Sequence, residues 1–79
     1  MALHVDIISP ERNLYSGTAN AVQLPGSEGL FQILTDHAPL MAALTAGRVK
    51  IDGAKGSEFV EISGGVVEVS GNNVTVLAK

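Results

Sequence analysis

Apolar and polar residues alternate along most of this chain, in short runs. In Leu3-His4-Val5-Asp6-Ile7 the apolar side chains hold one parity and the polar ones the other, and Arg48-Val49-Lys50-Ile51-Asp52 and Glu68-Val69-Ser70 repeat the pattern. Successive side chains of a strand point to opposite faces, so a period of two means one buried face and one wet face. Val74-Thr75-Val76-Leu77-Ala78 is a β-branched run in place of strict alternation, which also favours a strand. Turn residues separate the runs: Ser9-Pro10-Glu11-Arg12-Asn13, Pro25 to Gly29, Asp52 to Ser57 and Gly71-Asn72-Asn73. The paired glycines of Ser63-Gly64-Gly65 predict a sharp bend or a close backbone approach. The spacing predicts about eight strands, near 2–8, 13–16, 18–24, 28–34, 40–44, 47–52, 58–62 and 65–70, with 73–78 as a ninth candidate. Ala38 to Leu44 holds good helix formers but is too short to be stable as a helix by itself, so it reads as strand or irregular structure. Many short strands at close spacing predict an all-β, antiparallel sandwich or barrel.

The 79 residues allow one domain at most. A chain of this size buries only about 60% of the surface its unfolded form exposes, so the core is small. Tyr15, Phe31 and Phe59 are the only aromatic residues, and the core must be built from Val, Ile, Leu and Ala. Net charge is −3, and the five basic residues (Arg12, Arg48, Lys50, Lys55, Lys79) form no run. Nucleic acid and anionic lipid surfaces, which call for dense basic patches, are therefore poor partners. The absence of cysteine excludes disulfide staples and thiolate metal sites. The start of the chain lacks a basic segment followed by a long apolar one, and no apolar run approaches the length of a membrane span. The expectation is a soluble, intracellular, bacterial-type product whose membrane association, if any, comes through another protein.

Candidates for chemistry are few. His4 lies on the polar parity of the first run and reads as a solvated strand residue. His37, between Asp36 and Ala38-Pro39, has an acidic neighbour, but no further ligands at a recognisable spacing; zinc needs three or four. A structural or interface role is expected for it. Gly26-Ser27-Glu28-Gly29 lacks the lysine and the following helix of a phosphate loop and reads as a turn. Lys55, between glycines 53 and 56, resembles the modified lysine of a swinging-arm carrier domain, although Ala54 and Gly56 are not the usual neighbours; a solvated turn lysine is expected. No catalytic residue, metal or cofactor is predicted.

The ordered motifs carry more than any single residue. Ile8-Ser9-Pro10-Glu11 and Leu14-Tyr15-Ser16-Gly17 are followed by Pro25 to Gly29 and by His37-Ala38-Pro39-Leu40. Gly47-Arg48-Val49-Lys50-Ile51, Ser63-Gly64-Gly65 with Val67-Glu68-Val69, and Asn73 to Ala78 complete the series. Together they resemble the epsilon subunit of F-type ATP synthases over essentially the whole chain. The resemblance implies a two-sheet antiparallel β-sandwich and a non-catalytic place in the central stalk, where it would bind the gamma subunit and the ring of c subunits and support coupling of ion flow to ATP synthesis. It places Ser9, His37 and Ala42 toward gamma, and Ser27, Glu28, Leu30 and Phe31 toward the ring. It implies no cofactor, no nucleotide, no nucleic acid and no lipid insertion, and a location on the cytoplasmic side of a bacterial inner membrane. Leu30 stands where many members have an acidic residue, Gln32 where a glycine is usual, and Thr35-Asp36 where Pro-Gly is common. The family's usual pair of C-terminal helices has no counterpart here, so residues 1–79 are expected to form one sandwich domain without helix-based inhibition of ATP hydrolysis.

Overall fold

The parity of the sequence becomes the parity of burial. In the computed structural model, which describes residues 2–79, Leu3, Val5 and Ile7 are fully buried in strand β1 (Leu3–Ile8) while His4 and Ile8 face out. The remaining strands are β2 (Asn13–Ala19), β3 (Ala21–Gly26), β4 (Gly29–Leu34), β5 (Leu40–Leu44), β6 (Gly47–Gly53), β7 (Gly56–Ile62), β8 (Gly65–Ser70) and β9 (Asn73–Ala78). There is no helix among the described residues. The segment rich in helix formers is strand β5, and the ninth candidate is a full strand. In β9 alternation is strict after all: Val74, Val76 and Ala78 are buried and Leu77 is exposed.

The expected break at Gly17 lies instead at Asn20. Gly17 stays in the ladder opposite Val5, and a Cβ there would sit 3.0 Å from the Tyr15 hydroxyl oxygen. The glycine makes room for an aromatic ring and does not turn the chain. Pro25 and Gly26, expected in a turn, close strand β3. The Pro25 carbonyl points away from β4 and accepts the Thr45 amide at 2.8 Å, so the missing proline N–H costs no ladder bond.

β2-β1-β9-β8-β5 form one layer and β4-β3-β6-β7 the other, joined where Gly26 pairs with Leu44. This is the expected all-β sandwich, nearly closed like a barrel, with one parallel pairing, β1 with β9, among antiparallel ones. Only Thr45 and Ala46 separate β5 from β6, so the chain steps from one layer to the other there. Val5, Val67, Val69 and Val76 from the first layer meet Val22, Leu24, Ile33, Val49 and Ile51 from the second in one continuous core. No polar side chain is buried among the described residues. At the open seam beside β7, burial first and then the nearby Glu58 carboxylate hold the Tyr15 phenol above its ordinary pKa.

The bend predicted at the paired glycines has a steric cause. Gly65 has φ 147°, a region that L side chains rarely adopt. A Cβ there would run into the Leu77 carbonyl oxygen and lie 3.0 Å from the Ala78 Cα, both backbone atoms of β9. Neither can yield without breaking the ladder. Gly65→Ala is therefore expected to destabilise the fold by about 2–4 kcal/mol, measured by urea denaturation. An unchanged midpoint would show that β9 can give way.

A candidate subunit interface

Five of the seven candidate interface residues converge at one end of β3. The β3–β4 hairpin turns at Ser27 and Glu28, both exposed, and the Ser27 amide donates to the Ala43 carbonyl of β5 at 3.0 Å. That bond draws the hairpin tip against β5. Ser27, Glu28, Leu30, Phe31 and Ala42, with Gly26, Gly29, Met41 and Ala43, line an open cleft of about 520 Å³. Phe31 lies half-buried against the core while Leu30 is 69% exposed. A Cβ on Gly26 would meet the Phe31 ring at 2.8 Å, so the glycine lets the ring fold over the turn. Ala42 sits on the inward parity of β5 with Leu40 and Leu44, packed on the core, and its neighbours Met41 and Ala43 face outward.

Ser9 and His37 lie apart from that cleft and from each other. Ser9 follows β1 and closes its own turn: its amide and its hydroxyl both donate to the Arg12 carbonyl, at 2.9 and 3.0 Å, and its Oγ accepts the Arg12 amide at 3.2 Å. His37 belongs to the opposite end of β1. There the His4 amide donates to the Asn72 carbonyl, and the Asn72 side chain clasps Asp36, accepting its amide at 2.7 Å and donating to its carboxylate at 3.3 Å. Asp36 has φ 61°, a cost the clasp offsets. His37 Nδ1 lies 2.7 Å from the Ala38 carbonyl. A carbonyl only accepts, so Nδ1 carries the hydrogen and Nε2 is free. The strand between Ser9 and His37 is roughly 17–20 Å long.

From Ser9 to the cleft runs a feature that motif reading missed. Register places Ala43 opposite Val66, Val66 opposite Leu77, and Leu77 beside Ile8. All four point outward: Ile8 is 37% exposed, Val66 38% and Leu77 56%, and Ala43 is exposed too. The row crosses β5, β8, β9 and β1, from the cleft to the residue before Ser9. A polar row flanks it, with Glu68, Thr75, Asp6 and Ser16 in register; Asp6 accepts the Ser16 hydroxyl at 2.8 Å and lies 3.2 Å from His4 Nε2. An apolar patch with a polar rim is the usual anatomy of a protein contact. The signal was present as doubled apolar residues, Ile7-Ile8 and Val66-Val67, but only register shows that the outward members align. Among the described residues no three of His, Asp and Glu gather as a metal site. Lys55 is exposed at the two-residue turn of the β6–β7 hairpin.

Residues 2–79 match the family model of the β-sandwich domain of the ATP synthase delta/epsilon chain. Among solved structures, a chain of the Euglena gracilis mitochondrial ATP synthase (OSCP/F1/c-ring in rotational state 1) is similar, with a TM-score of 0.89 and 18% identity. The match covers 98% of this chain and 50% of that one. A chain of the Tetrahymena thermophila mitochondrial ATP synthase, from its central stalk and c-ring, gives a TM-score of 0.79 at 17% identity, covering 99% and 63%. At these identities the likeness is one of fold. The chain spans half of the first solved chain and less than two thirds of the second.

Proposed function

Because the chain belongs to the ATP synthase delta/epsilon family of β-sandwich domains, we propose that it is a non-catalytic rotor subunit that fastens gamma to the ring of c subunits. Ion-driven turning of the ring would then reach the catalytic head through gamma. The task needs a stiff body with two adhesive surfaces. A core without buried polar side chains among the described residues, in a nearly closed sheet, supplies the stiffness. The observation that carries the reading is the exposed apolar row from Ile8 to Ala43, which ends at the hairpin cleft.

In this reading gamma lies along the row, with Ser9 at one end and Ala42 reaching it from the cleft at the other, while His37 would touch gamma farther off, near the other end of β1. The ring meets the hairpin tip through Ser27, Glu28, Leu30 and Phe31. The two contacts adjoin at the cleft, where Ala42 lies among the tip residues. The chain would sit peripherally at the membrane, on the cytoplasmic side in a bacterium; both solved chains described above are mitochondrial.

The ring contact is testable by salt. Leu30 and Phe31 present carbon, and Glu28 is the only charged residue between Pro25 and Leu34. Screening weakens charge pairs and leaves apolar burial intact. Docking of the chain onto isolated c-ring should therefore weaken less than about threefold between 50 and 500 mM salt. A loss of tenfold or more would make Glu28 the main determinant and contradict an apolar contact.

A further inference from the structure

β4 is an edge strand of unusual composition. It pairs with β3 on one side, and among the described residues no strand pairs with its other side. Natural edges are commonly blunted by charge, by proline or by a bulge. Gly29-Leu30-Phe31-Gln32-Ile33-Leu34 has no charge and no proline, and its register with β3 is unbroken from Ala21↔Leu34 to Gly26↔Gly29. Leu30 and Leu34 are 69% and 53% exposed.

The backbone phase of this edge follows from Pro25. Pro25 stands opposite Leu30, has no N–H, and turns its carbonyl to Thr45. The Pro25–Leu30 pair is therefore a non-bonded one, and bonded pairs alternate with it. Phe31 and Ile33 bond to β3, while Leu30, Gln32 and Leu34 turn their N–H and C=O groups to the free side. Side chains read almost the same in both directions about Gln32: Leu-Phe-Gln-Ile-Leu.

We propose that two copies of this chain dimerise by antiparallel pairing of β4 about a two-fold axis at Gln32. In that register Leu30 meets Leu34 of the other copy and Gln32 meets its own counterpart. The three residues with outward backbone groups then stand directly opposite one another as bonded pairs, two hydrogen bonds to each pair. On the outer face each exposed leucine covers another, and the central amides bond across the axis. The patch is self-complementary, as a two-fold contact requires. The same register brings Glu28 of one copy toward Asp36 of the other. These like charges oppose pairing, so added salt strengthens the dimer. A six-residue edge falls short of the roughly 1,000 Å² of a stable interface, so the dimer is weak and forms at high concentration. It stands independently of the rotor reading; because it covers Leu30, a paired copy is closed to the proposed ring contact.

Sedimentation of the isolated chain tests this without gamma or ring. The weight-average mass should rise from 8.1 kDa toward twice that value as concentration approaches about 1 mM, and rise further with salt. Gln32→Lys places two like charges on the axis and should return the mass to that of the monomer without loss of fold, since Gln32 is exposed. Gln32→Cys, in a chain without other cysteine, should cross-link with diamide at least about tenfold faster than Thr18→Cys on the β2 edge, because Cα atoms of a bonded pair lie about 5.5 Å apart. A mass fixed at the monomer, growth beyond the dimer, a Gln32→Lys variant that still dimerises, or equal cross-linking rates would each overturn the proposal.

Discussion

Val69→Asp should leave the chain without a cooperative unfolding transition, whereas Val66→Asp, three residues earlier on the same strand, should leave it folded. Val69 is 1% exposed and stands between Leu40 and Val74 on the inner face of β8. No polar side chain is buried among the described residues, so a carboxylate there finds no partner. The substitution also removes a buried apolar side chain, a contribution of about 1.5–3 kcal/mol. Stranding a charge costs several kcal/mol more, roughly. A domain of this size has a total stability of about 4–12 kcal/mol, so the sum consumes most or all of it. Val66 points outward beside Ala43 and Leu77, and a charge there stays wet. Thermal melts followed by far-UV circular dichroism distinguish the two variants. Equal melting of both would mean that the inner and outer faces of β8 have been assigned wrongly.

Leu77→Glu should leave folding intact and weaken binding to gamma by about 100-fold. Leu77 is the most exposed of the row's three large side chains, at 56%, and lies between Val66 and Ile8. If gamma covers the row, the new carboxylate is desolvated at the centre of the contact with no cation in the row to meet it. A penalty of about 3 kcal/mol follows, and each 1.4 kcal/mol is tenfold in affinity. His37→Ala should act more weakly, because the ring already spends Nδ1 on the Ala38 carbonyl. Titration calorimetry against gamma measures both. Parental affinity in Leu77→Glu would remove the row from the interface.

These two substitutions mark what could and could not be read beforehand. Strands were legible because alternation reports faces directly: Leu3, Val5 and Ile7 announce the buried side of β1, and Val67 and Val69 that of β8. Turn chemistry placed the hairpins at Ala54-Lys55 and Gly71-Asn72. The errors arose where glycine and proline served packing. Gly17 gives space to the Tyr15 ring, and Pro25 ends a strand whose missing donor faces no partner. Pairing was not legible, because it joins residues far apart in the chain: the parallel β1–β9 ladder sets Ile8 beside Leu77. The apolar row is a product of that register. The candidate site was legible as residues and not as an arrangement. Ala42 and the Ser27 to Phe31 hairpin, assigned by resemblance to different partners, share one cleft, while Ser9 and His37 lie toward opposite ends of β1.

A chain that bridges two other subunits must hold both at once, which a three-component assay measures. Isolated c-ring is immobilised in detergent, gamma is added with and without the chain, and the gamma retained is measured. The chain should raise gamma retention, and Leu77→Glu should stay on the ring itself while failing to hold gamma. Gamma retention unchanged by the chain, with the chain bound to neither component, would contradict a bridging role.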